Sequence, residues 1–374
     1  MRGEPVDGVQ GVWTKRPDGT VVKKGRGALV DISEKATPDF SLFDDARFYR
    51  PMGGYIFKTV PLETYRGCPF TCAFCNSPGQ VTIARDEGLG LFTRRKRMDK
   101  LAEELRTLIA RHNPEFVYIY DDSFMARPDE ELYDFCEMYR EFKLPFWCQT
   151  RVETVTAEKL AAMKDVGCFR MSYGVEHGNE QFRRDKLLRN VSNELMLRKF
   201  EVIRDAGIPF TVNNVIGFPY ETRELCFDSI EFNRSIDGWF DSSTVSIFTP
   251  YHGTVLRDMA LREGWLDPEA RTNSMTTRSL LNMPAPYLSA DEIDGLIRTF
   301  NLYVKFPKDR WEEIRVAERA DAQGDAAWKR LAAEYDVLQF GGREAVRRAQ
   351  EKSVKGGTGC RASDTETLAF ERTS

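Results

Sequence analysis

Short apolar runs alternate with amphipathic segments through the middle of the chain, from about residue 54 to about residue 281. The runs typical of strands read YIFKTVPLETYRG, EFVYIYDD, PFWCQTRVE, CFRMSYGVE, PFTVNNVIGFP and STVSIFTPY, with a weaker run at LGLFTRR after the first. Between them lie segments of helical periodicity, such as MDKLAEELRTLIARH. A strand, helix, strand order that repeats about six times indicates parallel strands joined by right-handed crossovers. We therefore predict an α/β fold, a partial (β/α)6 barrel of the TIM type.

The segments on either side of this predicted barrel have a different character. Residues 1–54 are rich in Gly, Pro and charge, which predicts a linker-like arm with a hairpin turning at Asp18-Gly19. We assign residues 55–281 to the core barrel and residues 282–352, which have helical periodicity, to a helical C-terminal extension. Residues 353–374 are polar and Gly-rich, and this composition predicts a disordered tail.

The composition narrows the class of protein without naming a function. The chain has 374 residues, 41% hydrophobic and 30% charged, which is ordinary for a globular protein that builds a core. Its formal net charge of -4 lacks the basic excess typical of nucleic-acid binding. No apolar run has the length of a membrane span and no signal peptide is recognisable, so we expect a cytoplasmic protein.

Three of the eight cysteines, Cys68, Cys72 and Cys75, form a cluster in the segment ETYRGCPFTCAFCNSP. Their C-x3-C-x2-C spacing directly follows the first predicted barrel strand, where barrel enzymes place their sites. Thiolates suit iron–sulfur clusters and zinc equally, but structural zinc takes four protein ligands and no histidine lies near this loop. A [4Fe-4S] cluster on three thiolates leaves one iron open. We therefore predict these three cysteines to be the metal ligands and catalytic centre.

The cysteine segment closely resembles the signature of the radical S-adenosylmethionine (SAM) superfamily, including Phe74 before the last cysteine. The flanking E-x-x-R-G-C-P and N-S-P resemble the branch whose members usually carry an N-terminal cobalamin-binding domain, and the resemblance runs from about Trp13 to Phe306. It implies a [4Fe-4S] cluster whose open iron is chelated by SAM. One electron would cleave SAM, and the resulting 5'-deoxyadenosyl radical would take a hydrogen atom from a small-molecule substrate. Methyl transfer, ring formation and oxidation all fit this chemistry.

The same resemblance implies a set of SAM-binding residues at the ends of the later strands. These are Phe74, Gln149 toward the ribose, Glu176 in the segment GVE, Arg189 in KLLRN toward the carboxylate, and Asn213, Val215 and Gly217 in NNVIGFPYET. Plainer interpretations stay open for some of them. Glu176 could be a partly buried carboxylate paired with an arginine, and Arg189 could be a solvated surface residue.

Four further residues are candidates for lining the substrate mouth, which is the opening of the barrel at the strand ends: Asp122, His177, Tyr251 and His252. Asp122 could equally cap a helix, and a hydrogen-bonded structural role is the commoner one for a histidine such as His177. The family's Gly-Gly-Glu-like run on the second strand is not recognisable in LGLFTRRKRM. The basic run from Arg94 to Arg97 is predicted to be solvated or paired with a helix end.

The partners follow from the resemblance and from what precedes the barrel. Nothing before Tyr55 has the D-x-H-x-x-G segment of a cobalamin domain, so cobalamin is a possibility only through a missing or separate domain, and an enzyme that works without cobalamin stays open. A one-electron reductant such as ferredoxin or flavodoxin is expected, and a separate cobalamin-binding protein is a further candidate partner. The competing interpretation is an iron–sulfur electron-transfer or structural metal protein that does not cleave SAM.

Overall fold

A computed structural model describes residues 8–272 and 277–341 of the chain. The predicted tail and residues 342–352 of the predicted helical extension lie outside these residues. The strands are β1 (Trp13–Lys15), β2 (Val21–Lys23), β3 (Tyr49–Met52), β4 (Tyr55–Leu62), β5 (Tyr65–Arg66), β6 (Arg94–Arg95), β7 (Phe116–Ile119), β8 (Phe146–Arg151), β9 (Cys168–Glu176), β10 (Phe210–Ile216) and β11 (Ser242–Ile247). The helices are α1 (Ser77–Asp86), α2 (Met98–His112), α3 (Asp129–Tyr139), α4 (Ala157–Asp165), α5 (Glu180–Asp185), α6 (Asn193–Ala206), α7 (Arg223–Ser235), α8 (Val255–Arg262), α9 (Ala290–Lys305), α10 (Trp311–Ala317) and α11 (Ala322–Phe340).

Seven strands form one sheet in the order β11-β10-β9-β8-β7-β4-β3. Each strand from β4 to β11 in this sheet runs parallel to its neighbours, and β3 pairs antiparallel with β4 at one edge. Helices connect the parallel strands, as crossovers between parallel strands require. The sheet is curled into a half-barrel, so the predicted α/β fold with a partial barrel is confirmed.

The weak strand predicted at LGLFTRR is wrong as a barrel strand. Only Arg94–Arg95 of that segment is extended, and it pairs antiparallel with β5 in a separate two-stranded sheet. Gly88 and Gly90 have φ of 63° and 107°, which interrupts the extended backbone before the apolar residues. The second barrel strand is instead β7, and Asp121 and Asp122 follow it.

Strand alternation decides which side chains face the inside of the half-barrel. In β10, Val212, Asn214 and Ile216 are buried beneath the helices, whereas Asn213 and Val215 are only half-buried. Successive side chains of a strand point to opposite faces, so Asn213 and Val215 lie on the concave face.

The same alternation applies to β8, which lies next to β9 in the sheet. Phe146, Cys148 and Thr150 belong to the buried helix-facing side, and Gln149 and Arg151 face inward. Parallel pairing places Gln149 opposite Ser172 and Arg151 opposite Gly174, which brings the inward residues of both strands together.

The N-terminal arm is fastened to the barrel through the basic run. The predicted hairpin is present as β1 and β2. Arg94 donates from Nη1 to the carbonyl oxygen of Val30 at 2.8 Å, and Arg97 pairs with Glu34 at 2.8 Å. Lys96 and Glu104 form a buried ion pair with 2.7 Å between Nζ and Oε2. The basic run is therefore paired within the protein.

Helices α9 to α11 share the core of the barrel. Ile293, Leu296, Phe300 and Leu331 are completely buried and belong to the same hydrophobic cluster as the barrel strands. Arg234 of α7 donates from Nη1 to the carbonyl oxygens of Tyr303, Val304 and Phe306 at the end of α9. Within the described residues, none of the helices has the length and apolar character needed to cross a bilayer.

Candidate functional site

The three clustered cysteines lie on the loop between β5 and α1. Ser77 at the start of α1 holds this loop, because its hydroxyl is 3.2 Å from both the amide nitrogen and the carbonyl oxygen of Cys68. Ala73 donates its N–H to Leu187 at 2.9 Å and accepts from the N–H of Leu256 at 3.2 Å. The loop is therefore fixed on both sides by parts of the chain that are distant in sequence.

The three thiols share one partly desolvated neighbourhood. Burial raises the pKa of Cys68 to about 11, and negative charge on Cys72 and Cys75 adds to the rise. Burial also raises the pKa of Cys72 and of Cys75. Arg151 and Arg189 oppose the rise at Cys72, and the N–H of Ser77 opposes it at Cys75. Thiolates placed this close together are stabilised by a bound metal group, whose positive charge deprotonates its thiol ligands.

Across residues 8–272 and 277–341, no group of three or more His, Cys, Asp or Glu side chains is arranged to hold a single metal ion.

A network of alternating charges leads away from Cys72. Arg151 donates from Nη1 to the sulfur of Cys72 at 3.5 Å and forms an ion pair with Glu153. Arg189 lies 3.6 Å from the other oxygen of Glu153 and donates to Oε1 of Glu176 at 3.2 Å. Arg189 is 2% exposed, so it is not a solvated surface residue. These contacts connect three sequence-predicted residues, Cys72, Glu176 and Arg189, with two that the sequence did not assign.

Glu176 ends β9 in a left-handed backbone conformation, with φ of 67°. Burial raises the pKa of this carboxyl group, and the positive charges of Arg189 and Arg151 oppose the rise. Arg189 also donates to the carbonyl oxygen of Gly174, two residues earlier. The guanidinium of Arg189 thus fixes both the side chain of Glu176 and the backbone that leads to it.

The carboxyl end of β7 brings Asp122 close to the cysteines. Its buried neighbour Asp121 accepts hydrogen bonds from the N–H groups of Thr64 and Tyr65 and pairs with Arg127 at 2.7 Å, which makes Asp121 a structural residue. Asp122 is exposed, accepts from the N–H of Gly67, and raises the pKa of Cys68 and Cys75 through its charge.

The strand that ends before Asp122 is the second parallel strand of the sheet, and the sequence alone did not reveal this because LGLFTRR resembles a strand that comes before it. The usable signal was the short apolar run EFVYIYDD itself, since it ends in two carboxylates where a barrel strand ends. Gln149 lies beside this strand end, with Nε2 3.3 Å from the carbonyl oxygen of Asp121.

The turn after β10 is built around Gly217. Its φ is 83°, and a Cβ there would lie 2.9 Å from Cδ1 of Ile293, so a side chain does not fit. Tyr220 adopts φ of 68° and donates from its hydroxyl to Glu263 at 2.6 Å, so a residue other than glycine takes a left-handed backbone in this turn. Asn213 accepts from the hydroxyl of Thr244 at 2.8 Å on the concave face.

His177 does not lie at the substrate mouth, in contrast to the sequence-based hypothesis. Its ring is completely buried and stacks on Phe182, with 4.4 Å between centroids. Nδ1 accepts from the N–H of Asn179 at 3.0 Å, and Nε2 lies 3.2 Å from Oε1 of the equally buried Glu221. The other oxygen of Glu221 accepts from the N–H groups of Gly217, at 2.5 Å, and Phe218, at 3.0 Å. The buried pair of His177 and Glu221 therefore holds the backbone of the turn at Gly217 and Phe218 in place.

The remaining predicted residues surround the cysteine loop. Tyr251 and His252 are exposed, in a turn that precedes α8. The carbonyl oxygen of Gly253 in this turn would lie 2.9 Å from a Cβ at Gly79 of α1, so the turn and the helix after the cysteines touch. Phe74 is half-buried against Phe218, with 5.7 Å between ring centroids.

Comparison with known proteins agrees with this arrangement. Residues 62–232 match the sequence profile described as the Radical SAM superfamily. An uncharacterized methyltransferase of Pyrococcus horikoshii is 24% identical over 269 residues, 71% of this chain and 55% of the relative. The anaerobic magnesium-protoporphyrin IX monomethyl ester cyclase of Rubrivivax gelatinosus is 24% identical over 249 residues, 65% of this chain and 42% of the relative. The chain thus spans about half the length of the curated relatives it matches.

Two solved structures share the fold. The cobalamin-dependent SAM radical enzyme OxsB superposes with a TM-score of 0.56 at 13% identity, over 95% of this chain and 57% of OxsB. The radical SAM methyltransferase TsrM of Kitasatospora setae superposes with a TM-score of 0.53 at 16% identity, over 73% of this chain and 53% of TsrM. The matched profile includes the cysteine loop and the strands around it, and this stretch of the chain is accordingly identified as a radical SAM domain.

Proposed function

We propose that this chain holds a [4Fe-4S] cluster on Cys68, Cys72 and Cys75 and uses it to cleave SAM for C–H activation. The observation that carries the proposal is the shared, partly desolvated setting of the three thiols beside the charge network of Arg151, Glu153, Arg189 and Glu176. The bound cluster would supply the electron that breaks a carbon–sulfur bond of SAM and yields the 5'-deoxyadenosyl radical. The residues around the cluster would bind and orient SAM, and they would exclude water.

The donor set of the loop fits such a cluster. Three soft thiols with no histidine among them suit iron and leave a coordination position for a small ligand. Beside them, Nε of Arg151, Nε of Arg189 and Oε2 of Glu153 are buried and have no hydrogen-bond partner among the residues that the structure describes. Buried polar atoms without partners are costly, and a polar ligand in the site would satisfy such groups.

The SAM-binding roles are assigned to the residues that converge on this loop. Asp122 and Glu176 provide carboxylates for the ammonium group, and Arg189 holds Glu176 in place while Nε remains available to a carboxylate. Gln149 and Asn213 offer amides on the concave face to the ribose and base. An apolar surface on the same side comes from Val215 and Phe74. Gly217 has no side chain, so SAM could approach the backbone closely there.

The reaction class follows from the relatives only in outline. Those described above are named as a methyltransferase and as a cyclase. We therefore propose methyl transfer or ring formation on a small molecule that approaches past Asp122, Tyr251 and His252. A ferredoxin or flavodoxin would deliver the electron, and cobalamin would come from a domain or protein outside this chain.

The proposal is tested by anaerobic reconstitution with iron and sulfide, followed by assay for 5'-deoxyadenosine after reduction in the presence of SAM. We expect about four irons per chain and formation of 5'-deoxyadenosine. Cys72→Ala should abolish both, whereas Cys136→Ala, which changes a buried cysteine on α3, should keep both.

The competing function, an electron-transfer protein, makes a different prediction in the same assay. Such a protein would hold a reducible cluster and form no 5'-deoxyadenosine. That result with intact, reduced clusters would refute the enzyme, and stoichiometric zinc in place of iron would refute the cluster. The closely fitted turn at Gly217 and the strained Glu176 favour the enzyme, because an electron carrier has no need of either.

A further inference from the structure

Arg151 contacts the cysteine loop at two points. Its Nη1 lies 3.5 Å from the sulfur of Cys72, and its guanidinium carbon lies 3.8 Å above the ring centroid of Phe70, within the same loop. The Arg151 side chain is only 12% exposed, so its charge is weakly screened by solvent. The guanidinium is therefore held against the sulfur and is not a passing surface contact.

The other two cysteines have different donors. Cys68 is approached by the backbone N–H of Phe70, and the sulfur of Cys75 accepts from the backbone N–H of Ser77 at 3.5 Å. Both of these donors are neutral, whereas the donor to Cys72 carries a full positive charge. Cys72 is also the most buried of the three, so the strongest electrostatic contact falls on the most desolvated ligand.

This difference between the donors to the three sulfurs changes the free energy of adding an electron to a bound cluster. An electron added to an iron–sulfur cluster increases the negative charge spread over its sulfurs, and hydrogen bonds and positive charges near the sulfurs stabilise the reduced form. A charged donor does so more strongly than a neutral amide. Glu153 pairs with Arg151 and has the opposite sign, so its negative charge partly offsets the effect.

We propose that Arg151 is a positioning residue that raises the reduction potential of the cluster through its hydrogen bond to the sulfur of Cys72, with Glu153 as a counterweight. The inference rests on the proposed function, because it requires the cluster to be bound. It concerns how easily the cluster accepts one electron from a chemical or protein reductant, and it is separate from binding of SAM.

The test is a redox titration of reconstituted protein in the absence of SAM, followed by electron paramagnetic resonance of the reduced cluster. We compare the wild-type protein with Arg151→Gln, Arg151→Lys, Glu153→Gln and Arg106→Gln. Arg106 is an exposed arginine on α2, so its variant removes the same charge at the surface. Iron and sulfide content is measured for every sample.

Arg151→Gln should raise the ratio of oxidised to reduced cluster at a fixed potential at least tenfold, a fall of about 59 mV for one electron. Arg151→Lys keeps the positive charge but lacks the planar guanidinium group, so its reduction potential should fall less than that of Arg151→Gln. Glu153→Gln should shift the potential in the opposite direction, and Arg106→Gln should match the wild-type protein.

Equal potentials in Arg151→Gln and Arg106→Gln would overturn the inference. If Arg151→Gln fails to assemble a cluster, Arg151→Lys and Glu153→Gln decide: opposite shifts support the inference, and no shift in either overturns it. A wild-type protein that assembles no cluster would instead refute the proposed function, which keeps the two failures distinct.

Discussion

At the scale of single residues, the site depends on groups whose conformation or burial costs free energy. Glu176 has a left-handed backbone conformation that costs of order 1–3 kcal/mol for a residue other than glycine. Arg189 offsets that cost through contacts with the Glu176 carboxylate and the Gly174 carbonyl oxygen. Residues held in this way cluster at functional sites, which agrees with the proposed role of Glu176.

The raised pKa of Glu176 predicts how SAM binding depends on pH. A carboxyl group with a raised pKa gains its proton at a higher pH than usual, although Arg189 and Arg151 favour the ionised form and Glu153 opposes it. Affinity for SAM should therefore fall as the pH is lowered through this pKa. Glu176→Gln should bind about tenfold more weakly at high pH, because a charged hydrogen bond is lost, and should show little further change.

Equilibrium binding of SAM to reconstituted protein, measured at several pH values, checks this expectation. The Arg106→Gln variant serves as the control with an unchanged site. A parallel loss of affinity in the wild-type protein and in Glu176→Gln would assign the titration to another group.

The buried pair of His177 and Glu221 predicts a loss of stability with a specific rescue. Glu221→Ala removes the acceptor for the N–H groups of Gly217 and Phe218 and leaves them buried without a partner. We expect a loss of about 1–3 kcal/mol in the free energy of unfolding for each donor left without its acceptor. Glu221→Gln keeps an oxygen acceptor and should lose clearly less. Chemical denaturation followed by circular dichroism measures both, and equal losses would show that these hydrogen bonds are unimportant.

At the scale of elements, the sequence was informative where periodicity was strong and misleading where an apolar run was short. The strands β4 and β8 to β10 were predicted close to their observed positions. The run LGLFTRR looked like a strand because Leu89, Leu91 and Phe92 are apolar, yet Gly88 before them and Gly90 between them have positive φ and interrupt the extended backbone.

That error affected the site, because it made the strand before Asp121 and Asp122 the third strand of the barrel when it is the second. The contact between Arg151 and Cys72 was beyond reach for another reason. The two residues are 79 positions apart, and the strand order of the folded sheet brings the end of β8 close to the loop after β5. Spacing in the sequence does not report which strand ends lie together.

Helix α2 carries two ion pairs that should differ sharply in their contribution to stability. Lys96 and Glu104 have side chains 7% and 3% exposed, whereas Arg106 and Glu141 are 58% and 51% exposed. Lys96→Met leaves a buried carboxylate without its partner and should cost about 3–5 kcal/mol. Arg106→Ala should cost less than about 1 kcal/mol.

Urea denaturation of both variants measures the difference. The double variant Lys96→Met with Glu104→Leu should recover most of the stability, because an apolar pair of similar volume can replace a buried ion pair. If Lys96→Met alone is no less stable than Arg106→Ala, the buried pair is not what fastens α2 to the loop before it.

At the scale of the whole molecule, the C-terminal helices and the barrel form one hydrophobic core, which predicts one unfolding transition. Leu296 of α9 is completely buried in that core, and Leu296→Ala should cost about 2–5 kcal/mol. Leu338 of α11 is 58% exposed, and Leu338→Ala should change stability by less than about 0.5 kcal/mol.

Tryptophan fluorescence and far-ultraviolet circular dichroism should report the same midpoint in each variant. Trp311 and Trp328 lie in the C-terminal helices and Trp147 lies in the barrel, so the two signals sample both regions. Two separated transitions in Leu296→Ala would mean that the helices unfold independently of the barrel.

The antiparallel strand β3 leaves the ring of strands incomplete. Among residues 8–272 and 277–341, β3 pairs only with β4 and β11 pairs only with β10. A full TIM barrel closes eight parallel strands. Here Pro51 stands in the outermost strand, and its missing N–H makes it a poor base for adding another. The ring of strands therefore stays open between β3 and β11 in the described part of the chain, and α9 packs against the β11 edge, where Asn301 donates to the carbonyl oxygen of Ser243 at 3.0 Å.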